Sequence, residues 1–355
     1  MKVLVVNSHP DLSEAHIYVA LRAQGMDVEV ICDTAAQRSA MIEAAKVPVT
    51  HLHFQSRLDL SAIRLLRNTI RSGSFDLVHA VNKRSCTHVM AALIGMNVPV
   101  VAYRGIIGNI YRWNPETGLS YFSRKVKRII CVCEAVRQYL LSKGMSPEKV
   151  VTVYKGHNAT WYKPADRRNF SEFGIPQNAF VVGCAVKISP RKGVDSLVNA
   201  IASISDMDVH LLLAGEIVYP LIPKLVQQRN IKHRVHLIGH QKNAASLMGA
   251  CDCFVMPSLR REGLPRAILE AMFQGVPPIV TNIGGMPEIV EDGISGIIIP
   301  SADSDAMADA IRTLRSDHML RKRLGIGAKE RAVSHFHVDQ TATAYKDIFL
   351  GATAL

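Results

Sequence analysis

The sequence predicts an α/β protein made of two doubly wound, parallel-sheet domains. Three observations carry that prediction. Short β-branched runs alternate with helical stretches along the chain, the pattern of parallel strands joined by crossover helices. The alternation falls into two series separated by a polar stretch punctuated by prolines. The 355 residues, 48% of them hydrophobic, suffice for two ordinary domain cores.

The opening run Met1-Lys2-Val3-Leu4-Val5-Val6 reads as a buried first strand, and Asn7-Ser8-His9-Pro10 breaks it too soon for a signal peptide. Further strands of the first series are expected near 28–31, 50–53, 77–79, 100–103, 129–132 and 150–153, with helices near 14–24, 60–71, 85–94 and 134–143. From 157 to 177 the chain turns polar, with Lys163-Pro164, Asp166-Arg167-Arg168-Asn169 and Gly174-Ile175-Pro176, the composition of an interdomain connection. The second series offers strands near 180–186, 209–214, 235–238, 253–256, 278–280 and 296–299. The expected domains are 1–160 and 178–337, joined by a linker at 161–177, with ligands in a cleft between the carboxyl ends of their strands. The last segment, 338–355, is amphipathic, with Ala342, Tyr345, Ile348 and Phe349 on one face. It either caps the second domain or reaches back to the first.

The net charge of +12 calls for an anionic partner: nucleic acid, an anionic membrane surface or phosphorylated substrates. No RNA- or DNA-binding motif accompanies the charge, which leaves specific nucleic-acid binding as the remote alternative. No apolar run approaches the 18 or so residues of a membrane-spanning helix. The seven cysteines include no C-x-x-C, and Cys131/Cys133 and Cys251/Cys253 are spaced as neighbours on one face of a strand. They read as reduced core thiols, without the further ligands that a metal site needs.

The segment from Arg261 to Met272 is the most informative. Pro265 suits the first position of a helix, Glu262 then lies in the loop before it, and Glu270 lies about two turns inside. Leu264, Ile268, Ala271 and Met272 share the face that packs on a sheet, and Glu270 points roughly the other way. A helix N-terminus suits a phosphate, so the two carboxylates bracket a ligand carrying phosphate and hydroxyls. The competing reading pairs Glu270 with Arg266, four residues back. Elsewhere, Lys187, Arg191 and Lys192 place three positive charges after the strand at 180–186. Gly284-Gly285 follows the strand at 278–280 and would let backbone N–H groups approach a ligand. Gly215 ends the strand at 209–214. Each of these three features is also compatible with a plain turn.

Together the motifs resemble the retaining family 4 glycosyltransferases of the GT-B fold. The resemblance runs from about Gly183 to the C-terminus. It is carried by Lys187-Ile188 followed by Lys192-Gly193, by Met256-Pro257-Ser258, by the stretch from Glu262 to Glu270, by Gly284-Gly285-Met286-Pro287-Glu288 and by Asp292-Gly293-Ile294-Ser295-Gly296, in the family's order. It implies a nucleotide-diphospho-sugar donor in the second domain and transfer with retention to a glycan, glycolipid or other acceptor, in cell-surface polysaccharide or glycolipid biosynthesis. Lys187, where the family usually has arginine, and Lys192 would neutralise the diphosphate. Glu270 would bind ribose hydroxyls and Glu262 the transferred sugar, with Gly263, Leu264 and Pro265 beside the donor. No metal and no cofactor are implied. A sugar-nucleotide epimerase or hydrolase of the same fold is the alternative.

The N-terminal half departs from the family pattern. The usual Gly-Gly loop after the first strand is replaced by Asn7-Ser8-His9-Pro10-Asp11, in which His9 and Asp11 either face the cleft or form a turn and helix cap. In Val100-Val101-Ala102-Tyr103-Arg104-Gly105, Arg104 stands where the family has histidine; it either clamps an anion or pairs with a local carboxylate. His79 and Asn82 follow another strand and are further candidates for the acceptor side, while a lone histidine at a strand end also reads as a structural residue. Arg57, Arg64, Arg67 and Arg71, and then Arg112, Arg124, Lys125, Lys127 and Arg128 interleaved with Tyr111, Trp113, Tyr121 and Phe122, suit an anionic membrane, an anionic glycan or a solvated basic face. The expected location is cytoplasmic, with peripheral contact at the inner face of the cytoplasmic membrane as one option.

Overall fold

The computed structural model describes residues 1–56 and 58–354, with the backbone alone for Pro115, Arg167, Arg168 and Asn169. The chain forms two compact units, Met1–Gly156 with Val338–Leu355, and His157–His337.

The first unit holds a seven-stranded, wholly parallel sheet. Its strands are β1 (Lys2–Val6), β2 (Asp27–Cys32), β3 (Val49–His51), β4 (Leu77–Ala80), β5 (Val100–Arg104), β6 (Val126–Cys131) and β7 (Val150–Thr152). Their spatial order is β3-β2-β1-β4-β5-β6-β7, so the winding reverses between β1 and β4. Covered on both faces, such strands read as continuous apolar runs; Val3, Leu4, Val5 and Val6 are all at most 1% exposed. The charges of Lys127 and Arg128 disguised the start of β6, which begins at Val126 rather than 129.

Three of the helices between these strands start where side chains satisfy their free N–H groups. Asp11 and Glu14 form a reciprocal capping box on the helix Leu12–Ala23. Asp59 caps Leu60–Gly73 and Asn82 caps Lys83–Ala92. Each cap contributes about 1 kcal/mol.

The second unit repeats the plan with β8 (Phe180–Ala185), β9 (Val209–Ala214), β10 (Val235–Gly239), β11 (Cys253–Met256), β12 (Pro278–Thr281) and β13 (Ile297–Ile299). Their order is β10-β9-β8-β11-β12-β13, all parallel, and the winding reverses between β8 and β11. In a doubly wound sheet the crevice for ligands lies at this reversal, beyond the carboxyl ends of the strands.

The change of unit falls at Gly156 and His157, earlier than the linker expected at 161–177. That stretch packs within the second unit: Phe170 and Ile175 are at most 2% exposed, and Ala165 N–H donates to Ser246 O at 2.9 Å. Its polar composition concealed two apolar anchors. The amphipathic C-terminal segment forms the helix Val338–Thr353 and belongs to the first unit. It lies against Leu12–Ala23, buries Ala342, Tyr345 and Phe349, and ties Thr341 to Tyr154 O and Gly156 N, both at 2.9 Å. All seven cysteines are buried, and none forms a disulfide among the described residues. Among the described residues no helix is long and apolar enough to cross a membrane.

Candidate functional site

In the second unit, three loops leave the carboxyl ends of β8, β11 and β12 and meet at Glu262. The loop after β8 runs through Lys187 to a 3-10 turn, Pro190–Lys192, before the helix Val194–Ser203. It is held to the loop after β11 by Leu259 N–H donating to Arg191 O at 2.9 Å. Lys192 thereby reaches Glu262: Nζ lies 2.7 Å from Oε1, with side chains 12% and 8% exposed. Arg191 approaches the same oxygen at 3.5 Å. A carboxylate this buried requires such a partner, because an uncompensated charge away from water is costly.

The loop after β12 explains Gly284 differently from the expectation. Gly284 has φ +60°, and a Cβ there would lie 2.2 Å from the Glu262 carbonyl oxygen. Gly285 N–H donates to Gly263 O at 3.2 Å. The glycine pair therefore buttresses the Glu262–Gly263 backbone, and the Gly285 N–H expected to face a ligand is already engaged. Gly215 is likewise a close-approach position, with φ +144° and its would-be Cβ 1.8 Å from Val186 O. Its N–H donates to Gly239 O at 2.7 Å. The loops after β8 and β9 run side by side through Ile188 and Ile217, which sets Lys187 Nζ 2.7 Å from Glu216 Oε2. Both side chains are about 60% exposed, so this pair is solvated and adds little stability.

Beyond Glu262, Arg261 holds φ +62°, a conformation uncommon outside glycine. Pro265 is the residue before the helix Arg266–Phe273, one position earlier than expected, since its ψ of 113° is extended. Its ring still begins the helix without wasting a donor. Ile268, Leu269, Ala271, Met272 and Phe273 are buried against the sheet, whereas Leu264 and Glu270 are half-buried. Lys187, Lys192, Glu262 to Pro265, Glu270, Gly215 and Gly284-Gly285 thus all belong to loops or helix starts at the carboxyl edge of one sheet. Arg191 was seen in the sequence only as loop charge. Its contact with Glu262 depends on a turn that brings distant segments together.

In the first unit, a pocket of about 460 Å3 lies at the reversal between β1 and β4. Asn7, His9, Asn82, Lys83, Tyr103 and Arg104 line it. His9 is exposed, and Asn82 Oδ1 accepts from Ser85 N–H at 2.8 Å while still facing the pocket. Asp11 also lines it, so the two readings of that residue coexist: Oδ1 caps the helix and Oδ2 binds Lys155 Nζ at 2.7 Å.

Arg104 is buried, but among the described residues no carboxylate pairs with it. Nε donates to Ile106 O at 2.9 Å, Nη2 to Gly108 O, and the guanidinium lies 5.9 Å from the Tyr121 ring centroid. His79 does not reach the pocket. It is 1% exposed, bonds Val101 O through Nδ1 at 3.0 Å, and packs against Tyr345 and Phe349 of the last helix. Strand alternation turns its side chain to the face which that helix covers. Burial pulls its pKa down to about 4, only partly opposed by the Val101 carbonyl.

Lys155 escaped the sequence reading because its partners lie far away along the chain. Its Nζ meets Asp11 and Glu14 at 2.7 and 2.8 Å and lies 5.6 Å from the Tyr103 ring centroid. Burial alone would lower its pKa; Tyr103, Glu14 and Asp11 outweigh burial and hold it well above the ordinary lysine value. Arg64 and Arg71 are exposed on the helix Leu60–Gly73, whereas Arg67 donates to Ala92 O and Ile94 O at 3.0 and 2.6 Å. Arg57, expected in the same basic face, lies outside the described residues.

Comparison with known proteins gives the same two-part picture. Residues 15–161 match the family model "Glycosyltransferase Family 4", and residues 165–331 match "Glycosyl transferases group 1". Among the relatives, N-acetyl-alpha-D-glucosaminyl L-malate synthase of Bacillus anthracis is 26% identical over 303 residues, 82% of this chain and 78% of its own. The UDP-Gal:alpha-D-GlcNAc-diphosphoundecaprenol alpha-1,3-galactosyltransferase of Escherichia coli is 23% identical over 350 residues, 91% of this chain and 89% of its own. The crystal structure of Anabaena Alr3699/HepE in complex with UDP shares the fold at a TM-score of 0.81 and 20% identity, covering 99% of this chain and 100% of that one. With both halves matched in the order found here, and two doubly wound sheets to carry them, the chain belongs to the family 4 glycosyltransferases of the GT-B fold.

Proposed function

We propose that this enzyme transfers a sugar, with retention of anomeric configuration, from a uridine-diphospho-sugar bound by the second unit to a glycan or glycolipid acceptor bound by the first. The reaction would serve cell-surface polysaccharide or glycolipid biosynthesis. The observation that carries the reading is the meeting of Lys192, Glu262 and the Gly284 loop at the β8/β11 reversal. Uridine is chosen because solved structures of this fold hold UDP and UDP-glucose.

In this reading the bond from the anomeric carbon to the diphosphate oxygen breaks, and negative charge builds on the leaving diphosphate. Lys192 and Lys187 stabilise that charge, which is worth most where it develops in the transition state. The sugar becomes oxocarbenium-like, and Glu262 orients its hydroxyls or offsets its positive charge. Glu270 holds the ribose hydroxyls. The acceptor hydroxyl oxygen forms the new bond and passes its proton to the departing diphosphate oxygen. Lys192 is then shared between the Glu262 carboxylate and the donor diphosphate.

Thermal-shift screening against UDP-, GDP- and ADP-sugars tests the donor, because a ligand that binds only the folded state raises the melting temperature. A shift confined to UDP-sugars is expected. Rapid consumption of the donor without any acceptor would instead favour an epimerase or hydrolase. Peripheral contact with an anionic membrane through Arg64 and Arg71 belongs to the same proposal. Reversing both charges is expected to reduce co-sedimentation with anionic liposomes, and unchanged sedimentation removes that contact.

A further inference from the structure

Three depressions on the first unit share residues and form one track. The first is the polar pocket at the β1/β4 reversal, which includes Lys83. The second, also about 460 Å3, is lined by Lys83, Arg84, Asn109, Tyr111, Asn114 and Glu116. The third is an apolar groove of about 590 Å3, to which Asn114 and Glu116 also belong. Leu58, Met90, Ala91, Ile94 and Leu119 make its apolar wall. Leu58, Ile94 and Leu119 are 63%, 69% and 75% exposed, so apolar surface is left uncovered there. Such a surface, continuous with a polar pocket, marks a binding groove rather than a scatter of surface side chains.

The charge changes along the track as the polarity does. In the polar stretch Glu116 is neutralised by Lys83 at 2.5 Å, and Asp11 and Glu14 by Lys155. Arg84 and Arg104 donate to backbone carbonyls, at Phe54 and at Ile106 and Gly108. Among the described residues neither has a carboxylate partner. Arg104 lines the pocket at the β1/β4 reversal and Arg84 the second depression, and a guanidinium without a counter-charge suits a phosphoryl group.

We propose that the acceptor is an amphipathic lipid. Its polar head, joined through a phosphate, occupies the pocket at the β1/β4 reversal, and its hydrocarbon chain lies in the groove of Leu58, Ile94 and Leu119. This rests on the reading of the first unit as the acceptor side and narrows the acceptor from any glycan to a lipid-borne one. The groove holds the chain of the acceptor itself, not the surface of a bilayer.

The test titrates the full chain with inorganic phosphate and with butyl, hexyl, octyl and decyl phosphate, each below the concentration at which micelles form. Affinity is expected to rise about fourfold for each methylene that enters the groove. Ile94→Asp and Leu119→Asp, both at exposed positions that tolerate a charge, are expected to flatten this dependence while binding inorganic phosphate and UDP as the wild type does. A wild type that binds all chain lengths alike overturns the proposal, as do variants that keep the full dependence. If the two variants lose binding to phosphatidylglycerol vesicles but keep the alkyl-chain dependence, the groove faces a bilayer and the proposal is equally overturned. A wild type that keeps the chain-length dependence but fails to bind any UDP-sugar would instead defeat the donor reading of the second unit.

Discussion

At the scale of single residues, the ion pair between Lys192 and Glu262 is the most consequential contact. The sequence permits assigning the two to different ends of a donor, but their 2.7 Å contact couples the two positions directly. Lys192→Ala is expected to lower kcat by about 10²–10³, the usual cost of losing a group aimed at developing charge. It should also lower the melting temperature, since Glu262 would keep a buried charge with Arg191 as its weaker partner. Glu270→Ala should instead weaken donor binding, read as a smaller thermal shift with UDP-sugar. Normal kinetics and normal binding in both variants would remove the assignment. Lys155 shows where residue-level reading fails. Its role arises from Asp11 and Glu14, more than 140 positions away, and nothing in its local sequence announces them.

At the scale of elements, the sequence shows which segments are strands and helices but conceals what their ends do. Strand and helix alternation is written in the apolar runs, and the caps at Asp11, Asp59 and Asn82 mark where three helices begin. The Gly284-Gly285 pair reads equally well as a ligand cradle or a turn; its task became visible only when Glu262 O appeared against it. Gly284→Ala must fit a Cβ at φ +60° against that carbonyl, so a loss of at least about 1 kcal/mol in urea unfolding is expected, together with weaker UDP-sugar binding. Unchanged stability and unchanged binding would mean that the loop relaxes freely. His79 is ambiguous for a related reason: a histidine at a strand end reads as a cleft residue or as a structural one until the helix that covers it is known.

At the scale of the whole molecule, the same order of six strands occurs twice, with β7 added at the edge of the first sheet, which alternation alone could not reveal because it fixes the number of strands and not their neighbours. Each unit also carries a buried, uncharged histidine. His79 and His210 are both pulled down to about 4, chiefly by burial, and the neighbouring charge on His236 adds to the effect at His210. The sign follows directly. Between pH 6.5 and 4 the unfolded chain binds protons that the folded chain refuses, so stability is full above 6.5 and declines as pH falls toward 4. For His79, fully buried, the expected loss over that window is about 3 kcal/mol. Chemical denaturation at pH 7 and pH 4.5 should show this loss in the wild type and a smaller one in His79→Leu; equal losses would exclude His79 as the source.

The return of Val338–Thr353 to the first unit makes the second unit an insertion in the chain of the first. A ribosome delivers residues 157–337 complete before it delivers the helix that shelters His79, so the second unit has its whole sequence while the first still waits for that helix. A chain stopped after His337 should therefore keep UDP binding and lose cooperative unfolding of the first unit. The helix Val338–Thr353 would then decide whether the first unit completes its fold around a second unit already formed.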